Sequence, residues 1–79
     1  MNELLRNLDQ VHTTEMGGVR IKNNLSLETD DAVKWCKSQI VKPSTRIERR
    51  GKNWYVHTGF CCITVNAYSY TIITAHKEK

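Results

Sequence analysis

The sequence predicts an α+β fold, with about three N-terminal helices packed on one face of a four-stranded antiparallel β-meander. Three observations predict it. Apolar residues recur at helical spacing through residue 42 and alternate from residue 43 onward. The segments between the predicted strands are short, and short connections join neighbouring strands antiparallel. A length of 79 residues allows one layer of helices on one small sheet. The chain is therefore read as a single domain over 1–79, helical through 42 and sheet from 43.

Residues 2–9 read as a short helix, because Leu4, Leu5, Leu8 and Val11 recur at helical spacing. Thr13 and Thr14 can cap a second helix over 15–22, with Glu15 favourable in its first turn and Asn23-Asn24 suited to its end. Gly17 and Gly18 weaken that helix, by up to about 1 kcal/mol each relative to Ala. A third helix starts from a cap at Thr29 or Asp30, and Asp30 and Asp31 complement its dipole. Val33, Cys36 and Ile40 share its inner face, Trp35 flanks that face, and Pro43 closes it.

Strands follow. Residues 45–50 alternate about Ile47, and Gly51-Lys52-Asn53 reads as a turn. Residues 54–58 are aromatic and β-branched, and one of Trp54 and Tyr55 faces the core. After Gly59, residues 60–66 set Cys61, Ile63 and Val65 against Cys62, Thr64 and Asn66. Asn66-Ala67-Tyr68-Ser69 connects to a last strand over 70–76. Strict alternation there sets Tyr70, Ile72, Thr74 and His76 against Thr71, Ile73 and Ala75.

The charge is uneven. Residues 1–42 balance, so the whole net charge of +4 falls in 43–79. Arg46, Arg49, Arg50 and Lys52 lie within seven residues of one another. Such a patch attracts polyanions and positions phosphates. It also serves as a solvated hairpin tip or a protected sheet edge. The composition, 39% hydrophobic and 25% charged, excludes disorder. No apolar run has the length of a membrane span, and no secretory leader is evident, so the expected location is cytoplasmic.

Three cysteines, an odd count without a leader, argue against a disulfide framework. Cys36 reads as a small core residue. A metal site of His57, Cys61, Cys62 and His76 matches no zinc spacing, and adjacent strand cysteines point apart, so no metal or other cofactor is expected.

The sequence has no Gly-rich phosphate loop, HExxH or Gly-x-Ser-x-Gly motif. Glu48 and Glu78 are the only acids after Pro43, which disfavours two-carboxylate glycosidase chemistry and carboxylate-bound magnesium. Metal-free acid–base chemistry on RNA remains. Its catalytic candidates are His57, His76 and Thr74, the histidines acting as base and acid if they share the uncovered sheet face. Arg49 or Lys52 would neutralise phosphate charge. Nucleic-acid contacts are expected from Arg46, Arg49, Arg50, Lys52, Trp54, Tyr55, Tyr68 and Tyr70. His12 reads as a local turn residue.

Several runs carry a resemblance. They are Asn7-Leu8-Asp9-x-Val11-His12-Thr13-Thr14-Glu15, Asp30-Asp31-x-Val33-x-Trp35-Cys36, Gly51-Lys52-Asn53-Trp54-Tyr55-Val56 and Ile63-Thr64-Val65-Asn66-Ala67-x-Ser69-Tyr70-Thr71-Ile72-Ile73-Thr74-Ala75-His76. Over nearly the whole chain these resemble a family of short bacterial proteins known as a domain of unknown function. The resemblance implies a complete small bacterial or phage-borne protein and brings no assigned activity. Met16-Gly17-Gly18 and Cys61-Cys62 depart from the pattern. About half the chain is also similar to the barnase/RelE-like ribonuclease toxins, through the helix-then-meander order and the closing Tyr-Thr-Ile-Ile-Thr-Ala-His. That likeness implies that Thr74 and His76 sit at the catalytic end of the sheet and that Arg49 or Lys52 contacts phosphate.

Three functions stay open. The first is a small basic RNA-directed protein, in its sharpest form a metal-independent endoribonuclease of toxin type. The second is a non-enzymatic inhibitor or adaptor that binds a larger protein such as a CRISPR effector. The third is a nucleotide binder working as a homodimer or larger oligomer.

Overall fold

A computed structural model describes residues 3–78. Asn2, at the start of the expected first helix, and Lys79 lie outside the described residues. The elements run α1 (Glu3–Arg6), a single 3₁₀ turn (Leu8–Gln10), α2 (Glu15–Leu25), α3 (Ala32–Ile40), β1 (Arg46–Arg50), β2 (Asn53–His57), β3 (Cys61–Asn66) and β4 (Ile72–Lys77). The four strands form one antiparallel sheet in the order β1-β2-β3-β4. The predicted architecture of three helices on a four-stranded meander is therefore the observed one.

The first helix is split. Asn7 leaves helical geometry, with φ −124° and ψ 32°, and its side-chain amide donates to the Glu3 carbonyl at 3.0 Å. In α2, Thr14 caps the start by accepting from the Gly17 amide at 3.0 Å. Gly17, Ile21 and Leu25 are its buried stripe, four residues apart. That stripe carries the helix past residue 22 to Leu25, where Ser26 takes a left-handed cap at φ 55°. Gly17 fits because a Cβ there would collide with Thr13 Oγ1.

The cap of α3 is Asp31, one residue beyond the expected pair. Its carboxylate accepts from the Lys34 amide at 2.9 Å, while Thr29 Oγ1 accepts from the Asp31 amide. The buried face of α3 is Ala32, Cys36 and Ile40, and Val33 packs at its margin.

The helices lie on the sheet face formed by Trp54, Val56, Cys61, Ile63, Val65, Ile72 and Ala75, with Ile47 at its margin. Trp54 is thus the core member of its pair and Tyr55 faces outward. In β4 strict alternation fails. Thr64 pairs with Thr74 but Val65 pairs with Ile72, so Ile73 is an extra residue, bulged out and exposed. Ile72 and Ala75 both turn inward, while Thr74 and His76 share the uncovered face. This corrects the expectation that Ile72 faces with Thr74.

β4 is an edge strand, and the N-terminal segment closes part of that edge. His12 bridges Thr71, its amide donating to the Tyr70 carbonyl and its carbonyl accepting from the Ile72 amide at 2.7 Å. Thr13 Oγ1 donates to the Ile72 carbonyl and Asn24 to the Ala75 carbonyl. Those contacts satisfy backbone groups that an open edge would offer to another strand.

Candidate functional site

The candidate residues fall at the two ends of the sheet. At one, the β1–β2 and β3–β4 connections lie side by side, joined by the Ala67 amide donating to the Lys52 carbonyl at 2.7 Å. At the other lie the β2–β3 connection and the last residues of β4.

The turn end collects the basic and aromatic residues. Arg49 pairs with Trp54 across β1 and β2, on the helix side of the sheet. Its guanidinium lies 5.5 Å from the Trp54 ring centroid and 5.8 Å from that of Tyr68, and its Nε donates to the Gly51 carbonyl at 2.8 Å. Trp54 in turn meets Tyr70, with ring centroids 5.4 Å apart. Tyr68 is 75% exposed, so one aromatic face of this stack is open to solvent. Lys52 is exposed in the adjoining turn, whereas Arg50 projects from the opposite face of β1.

A hydrogen-bond chain borders that stack. His12 Nδ1 lies 2.8 Å from the Gln10 carbonyl, which can only accept, so Nδ1 carries a proton. In the neutral ring Nε2 is then an acceptor, and Thr71 Oγ1, 3.1 Å away, donates to it. Ser69 Oγ lies 2.8 Å from Thr71 Oγ1 and donates to Asn66 Oδ1 at 3.2 Å. Asn66 Oδ1 holds the turn by accepting from the Tyr68 and Ser69 amides, both at 2.9 Å. Between Ser69 and Thr71, Tyr70 has φ 61°. A side chain in that region costs about 1–3 kcal/mol. The His12 amide, the Asn66 carbonyl and the Trp54 ring hold it there. The product is an exposed imidazole with an oriented lone pair against a hydroxyl, the relation of a base to a nucleophile or to a substrate hydroxyl.

The far end carries the sequence-predicted histidines. Arg46, His57, Cys62 and His76 form one row across the uncovered face, and Tyr55, Thr64 and Thr74 lie in the next with Glu48. His57 and His76 thus share a face, two strand spacings or roughly 10 Å apart in the backbone. His57 is already engaged. Its Nδ1 lies 2.9 Å from Glu78 Oε2 and its Nε2 3.7 Å from Glu48 Oε1. That Nε2 is buried and has no hydrogen-bond partner. Glu48 also meets Arg50 Nε at 3.3 Å. Burial pushes the Cys62 thiol up, with Glu78, Cys61 and Glu48 adding to the effect, so it is held protonated. Cys61 faces the core and does not join this group.

The structure therefore gathers Arg49, Lys52, Trp54, Tyr68 and Tyr70 at one end and His57, Thr74, His76 and Arg46 toward the other. Thr74 and His76 thus lie away from Arg49 and Lys52. Sequence reasoning missed His12, Ser69 and Thr71, because the partners lie 59 residues apart. It missed Glu78 as well, although alternation from Thr74 through His76 sets it on the same face. A cleft of about 310 Å³ between α2 and the start of α3 is bordered by Glu15, Asp30 and Asp31, a poor match for phosphate.

Fold and site together define a small α+β domain with a basic, aromatic rim where its two hairpin turns meet. The chain belongs to the family described as a protein of unknown function (DUF3781), whose model matches residues 5–76. That span includes both ends of the sheet except Lys77 and Glu78. No curated protein and no solved structure matches the chain. Among the described residues no helix is long and apolar enough to cross a membrane.

Proposed function

We propose that this protein is RNA-directed and binds single-stranded RNA at the turn end. The observation that carries the reading is the Arg49 guanidinium set against both Trp54 and the exposed Tyr68, with Lys52 exposed in the adjoining turn. A base stacks on the open face of Tyr68 while the cations hold the flanking phosphates.

The sharper form of the proposal is metal-independent cleavage, with His12 beside the bound strand. Its Nε2 takes the proton of a 2′-hydroxyl that displaces Thr71. The 2′-oxygen attacks phosphorus, and the 5′-oxygen leaves with a proton from solvent. The products are 2′,3′-cyclic phosphate and 5′-hydroxyl ends, and the rim cations neutralise the phosphorane. The toxin-like order of elements belongs with this form.

Fluorescence anisotropy with a labelled single-stranded RNA tests binding. Total RNA in chelator tests cleavage, with His12→Ala, His57→Ala and His76→Ala compared. Binding lost in Tyr68→Ala and Lys52→Ala, and cleavage lost in His12→Ala alone, is the expected pattern. Cleavage lost only in His57→Ala or His76→Ala moves the chemistry to the far end of the sheet. No RNA binding at low salt refutes the whole reading.

A second reading has its own observation. Met16 and Val19 are 76% and 54% exposed on α2, away from the sheet. An apolar pair on a helix suits a protein partner, as an inhibitor or adaptor would need. Co-purification that depends on Met16 and Val19, without RNA binding, favours it.

A further inference from the structure

The far end of the sheet holds a group of side chains that RNA binding does not use. His57, Cys62 and Glu78 each present one ligand atom, and the three atoms lie within 4.8 Å of one another. We propose that these three residues bind a zinc ion, with Glu48 orienting the histidine. This goes beyond the RNA-directed reading and involves the opposite end of the sheet.

The donor set is one imidazole nitrogen, one thiolate and one carboxylate. That mixture suits zinc and is a poor match for magnesium or calcium, which take oxygen ligands. With metal–ligand distances of about 2.0–2.3 Å, ligand atoms of a tetrahedral site lie about 3.5 Å apart. The widest pair needs to close by about 1.3 Å at most, and His57 Nδ1 and Glu78 Oε2, 2.9 Å apart, need to open by about 0.6 Å. His57 and Cys62 are direct cross-strand neighbours in β2 and β3, so the sheet fixes their separation. Glu78 follows β4, its amide donating to the Phe60 carbonyl at 3.0 Å, and its side chain is free to adjust.

The second observation is the buried His57 Nε2, which has no hydrogen-bond partner. When a neutral imidazole donates from Nδ1 to Glu78, its Nε2 lone pair faces the Glu48 carboxylate 3.7 Å away, which is repulsive. Metal on Nδ1 resolves this. The ring proton then sits on Nε2 and points at Glu48, the carboxylate–histidine–metal relation seen around bound zinc. Binding releases the Cys62 thiol proton while the ring proton of His57 moves from Nδ1 to Nε2, and the thiolate and Glu78 carboxylate offset the charge of the ion. Three protein ligands leave a fourth position for water. The competing arrangement is a protonated His57 held between two carboxylates with no metal.

Cobalt(II) is the probe, because a thiolate ligand gives a charge-transfer band in the near ultraviolet and tetrahedral geometry gives visible d–d bands. The full-length protein is titrated with Co²⁺ and then with Zn²⁺ as competitor. One equivalent of Co²⁺ giving both bands, and Zn²⁺ abolishing them, is expected. Cys62→Ala should remove the charge-transfer band, and Cys36→Ala, a thiol in the core, should leave it intact. Because Cys62→Ala alters a buried position, Glu78→Gln and Glu48→Gln provide surface-side variants whose circular dichroism checks folding. Glu48→Gln should weaken metal affinity about 10–100-fold while keeping the thiolate band. Absence of a thiolate band, or a band that survives Cys62→Ala, overturns the proposal. RNA binding in chelator, measured beside it, reports on the turn end alone.

Discussion

Tyr68→Ala removes the exposed half of the aromatic pair around Arg49 and leaves every charge in place. Alanine substitution of a stacking aromatic costs about 1–3 kcal/mol per base. At about 1.4 kcal/mol per tenfold, RNA affinity should fall about 5- to 150-fold. Tyr68 is 75% exposed and its backbone is set by Asn66, so stability should change by about 0.5 kcal/mol or less. Arg49 keeps its contacts with Trp54 and the Gly51 carbonyl. The salt dependence should therefore stay as the two rim cations, Arg49 and Lys52, set it. At about 0.7 per cation on a single strand, the logarithmic slope is about −1.4, or about 7-fold weaker binding for a fourfold rise in salt. Anisotropy titrations at two salt concentrations measure both quantities. Tyr68→Phe should bind like the parent and Tyr68→Leu like the alanine variant. An alanine variant within twofold of the parent, with the slope unchanged, refutes stacking at Tyr68. A changed slope would mean that the substitution disturbed the cations instead.

Other outcomes follow from the fold. Lys52→Ala should lower the salt slope by about 0.7 and weaken RNA binding without regard to sequence, as read by the same titrations. Gly17→Ala should destabilise by about 1–3 kcal/mol in urea despite better helix propensity, because the added Cβ meets Thr13 Oγ1, and Thr13→Ala should restore much of the loss. Ile63→Ala, at a fully buried position in the middle of the sheet, should cost about 2–5 kcal/mol by the same measurement. Burial, reinforced by Cys61, pushes the Cys36 thiol up from 9.0 to about 12. The unfolded chain then loses this proton first. Its contribution to stability is full below pH 9.0 and falls as the pH rises toward about 12, which urea midpoints across that range would show.

The architecture was legible because its signals are local. The switch from helical to alternating periodicity at Pro43 separates helices from strands, and the short turns dictate an antiparallel meander. The missed details are those that depend on contacts distant in sequence. Ile72 and Ile73 are equally apolar, so alternation alone could not tell which is bulged; the pairing of Val65 with Ile72 decides it. Thr29, Asp30 and Asp31 are all competent caps, and the choice falls to the residue that lets Ala32 and Cys36 face the core. His12 looks like a turn residue until Thr71 is brought beside it. Glu48 and Glu78 stand far apart in sequence, yet His57 meets both, because β1 and the end of β4 flank the two central strands. Same-face alternation from His76 to Glu78 was the one available signal.

The strand-like bridge between His12 and Thr71 also sets a timetable for the ribosome. The two residues are 59 positions apart. At about 5–20 residues per second of synthesis, roughly 3–12 s pass between their appearances. Until that interval closes, Ile21 and Leu25 lack β4, the strand that α2 packs against. The helical half is made first and completed last, so the nascent chain must carry an exposed apolar stripe until its final hairpin emerges.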